Sequence, residues 1–129
     1  MTRVFHVLRL FFMVAVMVGA SNAARAQVQL LMLDEVGCVY CEQWTEEIGD
    51  AYHKTAEGKI APLIRIDISD ELPEYITLDS VGVYTPTFIL LVDGQETGRI
   101  TGYPGEDFFW WMLEVMLEKL PETMEAEGS

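Results

Sequence analysis

The chain has 129 residues, half of them hydrophobic, with 21 acidic against 8 basic side chains and a formal net charge of −13. One domain is the expected size, and so acidic a surface repels phosphate, which argues against nucleic acid and against an anionic membrane surface as partners. Two cysteines are too few for the multi-bridge framework of a disulfide-stapled mini-protein.

The first element reads as an export signal. Arg3, His6 and Arg9 make a basic start, Leu10 to Ala20 is an unbroken run of apolar and small residues, and Ala24-Arg25-Ala26 has the small-x-small form of a cleavage site. The run is well short of the roughly 20 residues that span a bilayer, so residues 1–26 are expected to be cleaved and not kept as an anchor. Ser21-Asn22-Ala23 is a weaker rival site. No cysteine follows closely enough for a lipoprotein, and no arginine pair marks twin-arginine export. Losing Arg3, Arg9 and Arg25 leaves five basic residues against 21 acidic ones, a formal charge of −16. The expected location is the periplasm, where a disulfide can persist.

Gln27 to Asp34 is nearly all apolar and predicts a central strand covered on both faces. GCVYC follows, then a helical pattern to about Glu57 with Gly58 as its stop. At 100° per residue Cys41, Trp44, Ile48, Ala51, Tyr52 and Thr55 share the inward side, and His53 lies opposite. Pro62 to Ile68 alternates isoleucines with Arg65 and Asp67, as an edge strand would. Residues 70–82 predict a short or irregular helix beginning near Pro73. Thr87 to Val92 is a second buried strand, Asp93-Gly94 a hairpin turn, and Glu96 to Thr101 a polar strand at the other edge. Tyr103-Pro104-Gly105 opens a last helix ended by Pro121, with Phe108, Phe109, Trp111, Met112, Val115, Met116 and Leu120 as its apolar band. Residues 122–129 read as a flexible acidic tail.

The order is therefore βαβαββα, an α/β mixed four-stranded sheet with flanking helices. Strands one and two should run parallel and strands three and four antiparallel.

Cys38 falls at or just before a helix N-terminus and Cys41 one turn inside. Free N–H groups and the positive end of the helix dipole favour a thiolate on Cys38, the nucleophile that attacks a disulfide. Cys41, turned inward, can then resolve the mixed disulfide. A structural zinc site would need four ligands, and His53, about 18 Å along a continuous helix on its far side, cannot join the two cysteines. A copper(I) metallochaperone using both thiolates stays open as an alternative, although the methionines form no tight Met-x-x-Met cluster. A purely structural disulfide would stabilise little, because the loop it closes is so short. Trp44 and the last helix's aromatic residues read as core, while Tyr40 could shield Cys41 or touch substrate. Asp34 and Glu35 read as a solvated strand end. The insert Val39-Tyr40 carries no cation and Asp34, Glu35 and Glu42 are close in sequence, which disfavours a stable thiolate and argues for a reductant.

CVYC after a buried strand, TPTF opening the next, a DG hairpin and Gly102 before the last helix resemble the thioredoxin superfamily over essentially all of residues 27–121. The resemblance implies a thioredoxin-like fold, thiol-disulfide oxidoreductase activity with no cofactor beyond the redox-active pair Cys38–Cys41, and a cis-proline at Pro86. It also implies that the backbone of Thr85 pairs with a substrate peptide. More narrowly, GCVYCEQW, APLIRIDI, TPTFILLVDG and GRITGYPGEDFFWWML are similar to the small periplasmic thioredoxin-like proteins associated with bacterial sulfur-oxidation (Sox) systems. That similarity implies a protein disulfide substrate, a cysteine-bearing sulfur carrier among the candidates, and a membrane thiol transporter as electron donor. A monomer is expected. Thioredoxin's buried aspartate, six residues before the first cysteine, is Met32 here, and its N-terminal strand and helix are missing, which leaves a glutaredoxin-sized core. The proton acceptor for Cys41 is left unassigned.

Overall fold

The structure, a computed structural model, describes residues 26–121. The expected signal segment up to Arg25 and the acidic tail lie outside the described residues. No helix among the described residues is long and apolar enough to cross a membrane.

Strand β1 is Val28–Asp34, β2 Leu63–Asp67, β3 Thr87–Val92 and β4 Gln95–Thr101. They form one sheet in the order β2-β1-β3-β4, with β1 parallel to β2 and antiparallel to β3, and β3 antiparallel to β4. The two apolar strands are central and the two charged ones are edges, as burial on both faces requires. Asp93 and Gly94 both have positive φ, 51° and 76°, the geometry that a two-residue hairpin needs to match strand twist.

The side chains of β1 alternate between two cores. Leu30 and Met32 join Phe88, Leu90 and Ile100 under the helices. Leu31 and Leu33 join Ile89 and Leu91 on the other face. Helix α1 runs as an α segment Val39–Trp44, a π-helical stretch Thr45–Gly49 and a last α turn Asp50–Tyr52; α2 is Ala56–Ile60 and α3 Glu106–Leu117. Trp44 is fully buried and sits with ring centroids 5.3 Å from Phe88 and 5.7 Å from Phe109. Burying each such side chain contributes about 1.5–3 kcal/mol, so this aromatic cluster is what clamps α1 and α3 to the sheet.

Several expectations need correction. The first helix does not run to Glu57. It ends at Tyr52, and α2 starts afresh with Thr55 as its cap, the hydroxyl accepting from the Gly58 N–H at 3.0 Å. Gly58 lies inside α2 and is no stop: a Cβ there would stand 1.9 Å from the Tyr52 carbonyl oxygen, so only glycine lets the two helices meet. The wider π-helical turns shift the phase of α1, which turns Ala51 to solvent although a uniform 100° step placed it inward.

No helix forms over residues 70–82. That segment runs as an extended connection across the second face, where Leu72, Ile76 and Leu78 cover Leu31, Leu33, Ile89 and Leu91. Its backbone groups pair with the β4 edge through Thr77 N–H to Gly94 O (2.8 Å) and Glu96 N–H to Thr77 O (3.1 Å). These bonds cover part of an otherwise open strand edge. Helix α3 stops at Leu117, before Pro121. Its inward stripe is Phe109, Leu113 and Leu117, and Phe108 and Trp111 face solvent.

Candidate active site

Gly37, at φ 82°, makes the sharp turn between β1 and α1. Cys38 follows in an extended conformation as the N-cap of α1, its amide donating to Glu35 O at 3.2 Å. Cys38 and Cys41 form a disulfide with Cα atoms 5.2 Å apart. The Cys41 N–H donates to Cys38 Sγ at 3.1 Å, so the sulfur occupies the place that a serine or aspartate oxygen takes in an ordinary helix cap. A negative charge on that sulfur would be stabilised by the same N–H and by the helix start. Cys38 is half-buried, whereas Cys41 is 2% exposed and packs with Trp44 and Phe88.

The Thr85–Pro86 bond is cis. Thr87, the next residue, is the register partner of Leu33, and Cys38 comes five residues after Leu33; topology therefore carries Pro86 and the disulfide to the same end of the sheet. Pro86 is held from behind by the Gly102 N–H, which donates to its carbonyl at 2.8 Å, and the Thr87 hydroxyl donates to Tyr84 O at 2.7 Å. The Thr85 hydroxyl donates to Glu35 Oε2 at 3.2 Å. Tyr40 is 59% exposed, and Val36, Val39, Val83 and Tyr84 are exposed as well. These apolar side chains come from the turn that carries the cysteines and from the loop before Pro86.

A cleft of about 440 Å³ opens beside the disulfide, lined by Cys41, Thr45, Arg65 and four carboxylates, Asp34, Glu35, Glu42 and Glu46. Asp34 is no free strand end. It is ion-paired with Arg65, whose Nε and Nη2 both donate to Asp34 Oδ2, while Arg65 Nη1 donates to Thr45 Oγ1 at 3.0 Å. The Thr45 hydroxyl in turn donates to Cys41 O at 2.8 Å. Arg65 also lies over the Trp44 ring, 6.0 Å from its centroid.

Nothing in the sequence near the cysteines announced Arg65, which is remote along the chain. Its charge fitted an edge strand equally well. The parallel register, Met32 opposite Arg65 and Asp34 opposite Asp67, makes Asp34 and Arg65 diagonal neighbours on one face, and a known register would have exposed the pair.

Further out, the Tyr103 hydroxyl donates to Glu47, fastening the loop before α3 to α1. That bond, with a second from Gln43, holds the Glu47 carboxyl below its usual value; burial and the Glu47 carboxylate raise Tyr103. A smaller cavity of about 250 Å³ on the other face, lined by Leu33, Leu72, Leu78 and Val81 with Asp67 and Asp70, contains neither cysteine. Among the described residues no three His, Cys, Asp or Glu side chains gather as a metal site requires.

No protein-family model matches the chain, and no curated protein does. Among solved structures, the reduced form of the periplasmic thioredoxin SoxS from Paracoccus pantotrophus matches with 43% identity and a TM-score of 0.70. The match covers 71% of this chain and 97% of that one. This chain's four-stranded sheet, flanking helices and CxxC pair at a strand-to-helix junction thus lie in a chain that superposes on a thioredoxin over nearly that protein's whole length. The chain belongs to the SoxS-type thioredoxins and is a thiol-disulfide oxidoreductase of thioredoxin-like fold.

Proposed function

We propose that the protein is an exported disulfide reductase, cleaved after Ala26, in which Cys38 is the attacking thiolate and Cys41 the resolving thiol. The observation that carries this reading is the asymmetry of the pair: Cys38 Sγ accepts the Cys41 N–H at the mouth of the helix, and Cys41 is buried behind it. Cys38 attacks one sulfur of a substrate disulfide and displaces the other as a thiolate. Cys41 then attacks Cys38 Sγ, the substrate's remaining sulfur leaves reduced, and the Cys38–Cys41 bond takes up the oxidation.

Thr85, Pro86 and Tyr40 are assigned to the substrate peptide. Thr85 and Pro86 sit at the head of β3, and Tyr40 is an exposed aromatic inside the CxxC loop. The surrounding exposed valines and Tyr84 suit an extended apolar segment. Electron flow toward the substrate is supported by the cleft, where four carboxylates face one guanidinium and their charge opposes the strong thiolate stabilisation on which oxidants of this fold depend. The partner assigned is a cysteine-bearing sulfur carrier of a sulfur-oxidation system, in keeping with the Sox name of the matched thioredoxin. A membrane thiol transporter is assigned as electron donor, and the working form is a monomer in the periplasm.

Insulin disulfide reduction tests the chemistry. Cys38→Ser and Cys41→Ser should both abolish turnover, and Cys41→Ser should accumulate a mixed disulfide through Cys38. Turnover surviving in either variant, or tight copper(I) binding by the reduced protein without any disulfide exchange, would refute the reading.

A further inference from the structure

Helix α3 has two apolar sides. One is the buried stripe of Phe109, Leu113 and Leu117. At about 100° per residue, Phe108, Trp111, Met112 and Val115 share a second arc roughly opposite, at the i, i+3, i+4, i+7 spacing of a helix-packing surface. Phe108 is 62% and Trp111 59% exposed, and Met112 and Val115 are half-buried. Single exposed apolar side chains are ordinary, but a row of four on one helix is a continuous patch, and aromatic rings are the usual anchors of protein interfaces.

The patch has an acidic flank. Asp107, Glu114 and Glu118 follow one another along the side next to Trp111, and none pairs with a cation among the described residues. Lys119, past the far end of the row, is the one basic side chain between Gly102 and Pro121. A second copy would bring two acidic rows together and add to a chain charge of −13, and an anionic lipid surface is repelled by the same row. The eight residues after Pro121 hold three glutamates and one large apolar side chain, Met124, which suits neither the row nor its flank.

We propose that the outer face of α3 is a docking surface for a basic amphipathic helix of a protein partner. Its apolar residues cover Phe108 and Trp111, and its lysines or arginines face Asp107, Glu114 and Glu118. A helix fits because the row is about two turns, or about 10 Å, long and narrow. The face stands beside the disulfide and not over it. Phe109 packs on Phe88, two residues after Pro86, with centroids 4.8 Å apart, and farther along α3 Met116 lies against Gly98, opposite Leu90 in the sheet. Docking there is thus independent of the roles given to the two cysteines.

Calorimetric titration of the full chain lacking only the signal segment, with a helical peptide of leucines and lysines whose leucines are spaced i, i+3, i+4, i+7, tests this. Binding should be saturable and one to one. It should be lost with an isomer whose leucines are scattered round the helix, and with glutamate in place of lysine. Phe108→Ser/Trp111→Ser should weaken it about a hundredfold, with insulin turnover at the parent rate as proof that the fold is intact. Asp107→Asn/Glu114→Gln/Glu118→Gln should weaken it about tenfold at low salt and flatten its salt dependence. Glu42→Gln/Glu46→Gln, in the cleft beside the disulfide, should leave it unchanged. Absence of binding, equal affinity for the scattered isomer, parent affinity in Phe108→Ser/Trp111→Ser, or a loss in the cleft variant overturns the proposal. So does a parent that sediments as a dimer and becomes a monomer in Phe108→Ser/Trp111→Ser, which would make a second copy the occupant.

Discussion

Glu35 and Thr85 are 50 residues apart in the chain and joined by a hydrogen bond, the Thr85 hydroxyl donating to Glu35 Oε2 at 3.2 Å. The turn before Cys38 and the loop before Pro86 are thereby one unit, and the Cys38 amide is tied to the same turn through the Glu35 carbonyl. An exposed hydrogen bond of this kind contributes about 1 kcal/mol, or about fivefold. Glu35→Ala should therefore raise KM for a protein disulfide by about that factor with kcat nearly unchanged. Steady-state kinetics on insulin check it, and a fall confined to kcat would contradict it.

The loop before Pro86 has a second anchor. Glu96, whose side chain is only 4% exposed, accepts from Arg99 Nε at 2.6 Å and from the Asp79 N–H at 2.9 Å, while Arg99 Nη2 donates to Ser80 O at 3.0 Å. The bonds from Arg99 lower the Glu96 carboxyl below its ordinary 4.5. A lowered carboxyl contributes stability that is complete above 4.5 and is lost as pH falls through its folded value. Glu96→Gln should cost about 2 kcal/mol at neutral pH and flatten the acid limb of a urea-midpoint against pH curve. Parallel acid limbs in the two proteins would refute this anchor.

Tyr52 supplies the opposite limb. Its hydroxyl is buried and donates to Ala61 O at 2.8 Å, and burial, with the charge of Glu57, raises its ionisation well above the ordinary 10.0. A raised acid contributes stability that is complete below pH 10 and fades as pH rises, because the unfolded chain ionises first. Tyr52→Phe loses about 1 kcal/mol at neutral pH through the missing bond, and its stability should fall less steeply above pH 10. Thermal melts across that range decide it.

The two helical glycines near this region should behave oppositely. Gly58→Ala puts a methyl on the Tyr52 carbonyl and should cost about 3 kcal/mol or more, since backbone must move. Gly49→Ala meets Thr45 Cγ2 at 3.3 Å as its tightest contact, with Trp44 Cζ3 and Thr45 Cβ at ordinary van der Waals distance, all side-chain atoms, and gains helix propensity, so its stability should stay within about 1 kcal/mol of the parent. Chemical denaturation of both variants distinguishes them.

What the sequence made legible was whatever periodicity and local turn chemistry encode. Thr87–Val92 is recovered to the residue, β1 to within one, and the Asp93-Gly94 hairpin follows from two residues that tolerate positive φ. Cys38 as cap and Cys41 as buried neighbour follow from a strand-helix junction. What stayed hidden depends on contacts remote in sequence. The 70–82 segment has enough apolar residues to pass for a helix, but they serve to cover a sheet face in extended form. The π-helical stretch in α1 begins at Thr45, whose hydroxyl donates to the Cys41 carbonyl, and no repeat in the sequence announces it. Arg65 reached the site only through strand register.

The central claim is that the two sulfurs differ, one activated at the helix mouth and one sheltered behind it. Timed alkylation of the reduced protein with limiting iodoacetamide at neutral pH, read by peptide mass mapping, tests it most directly. Cys38 should be modified about a hundredfold faster than Cys41. Equal rates at the two positions would contradict the account.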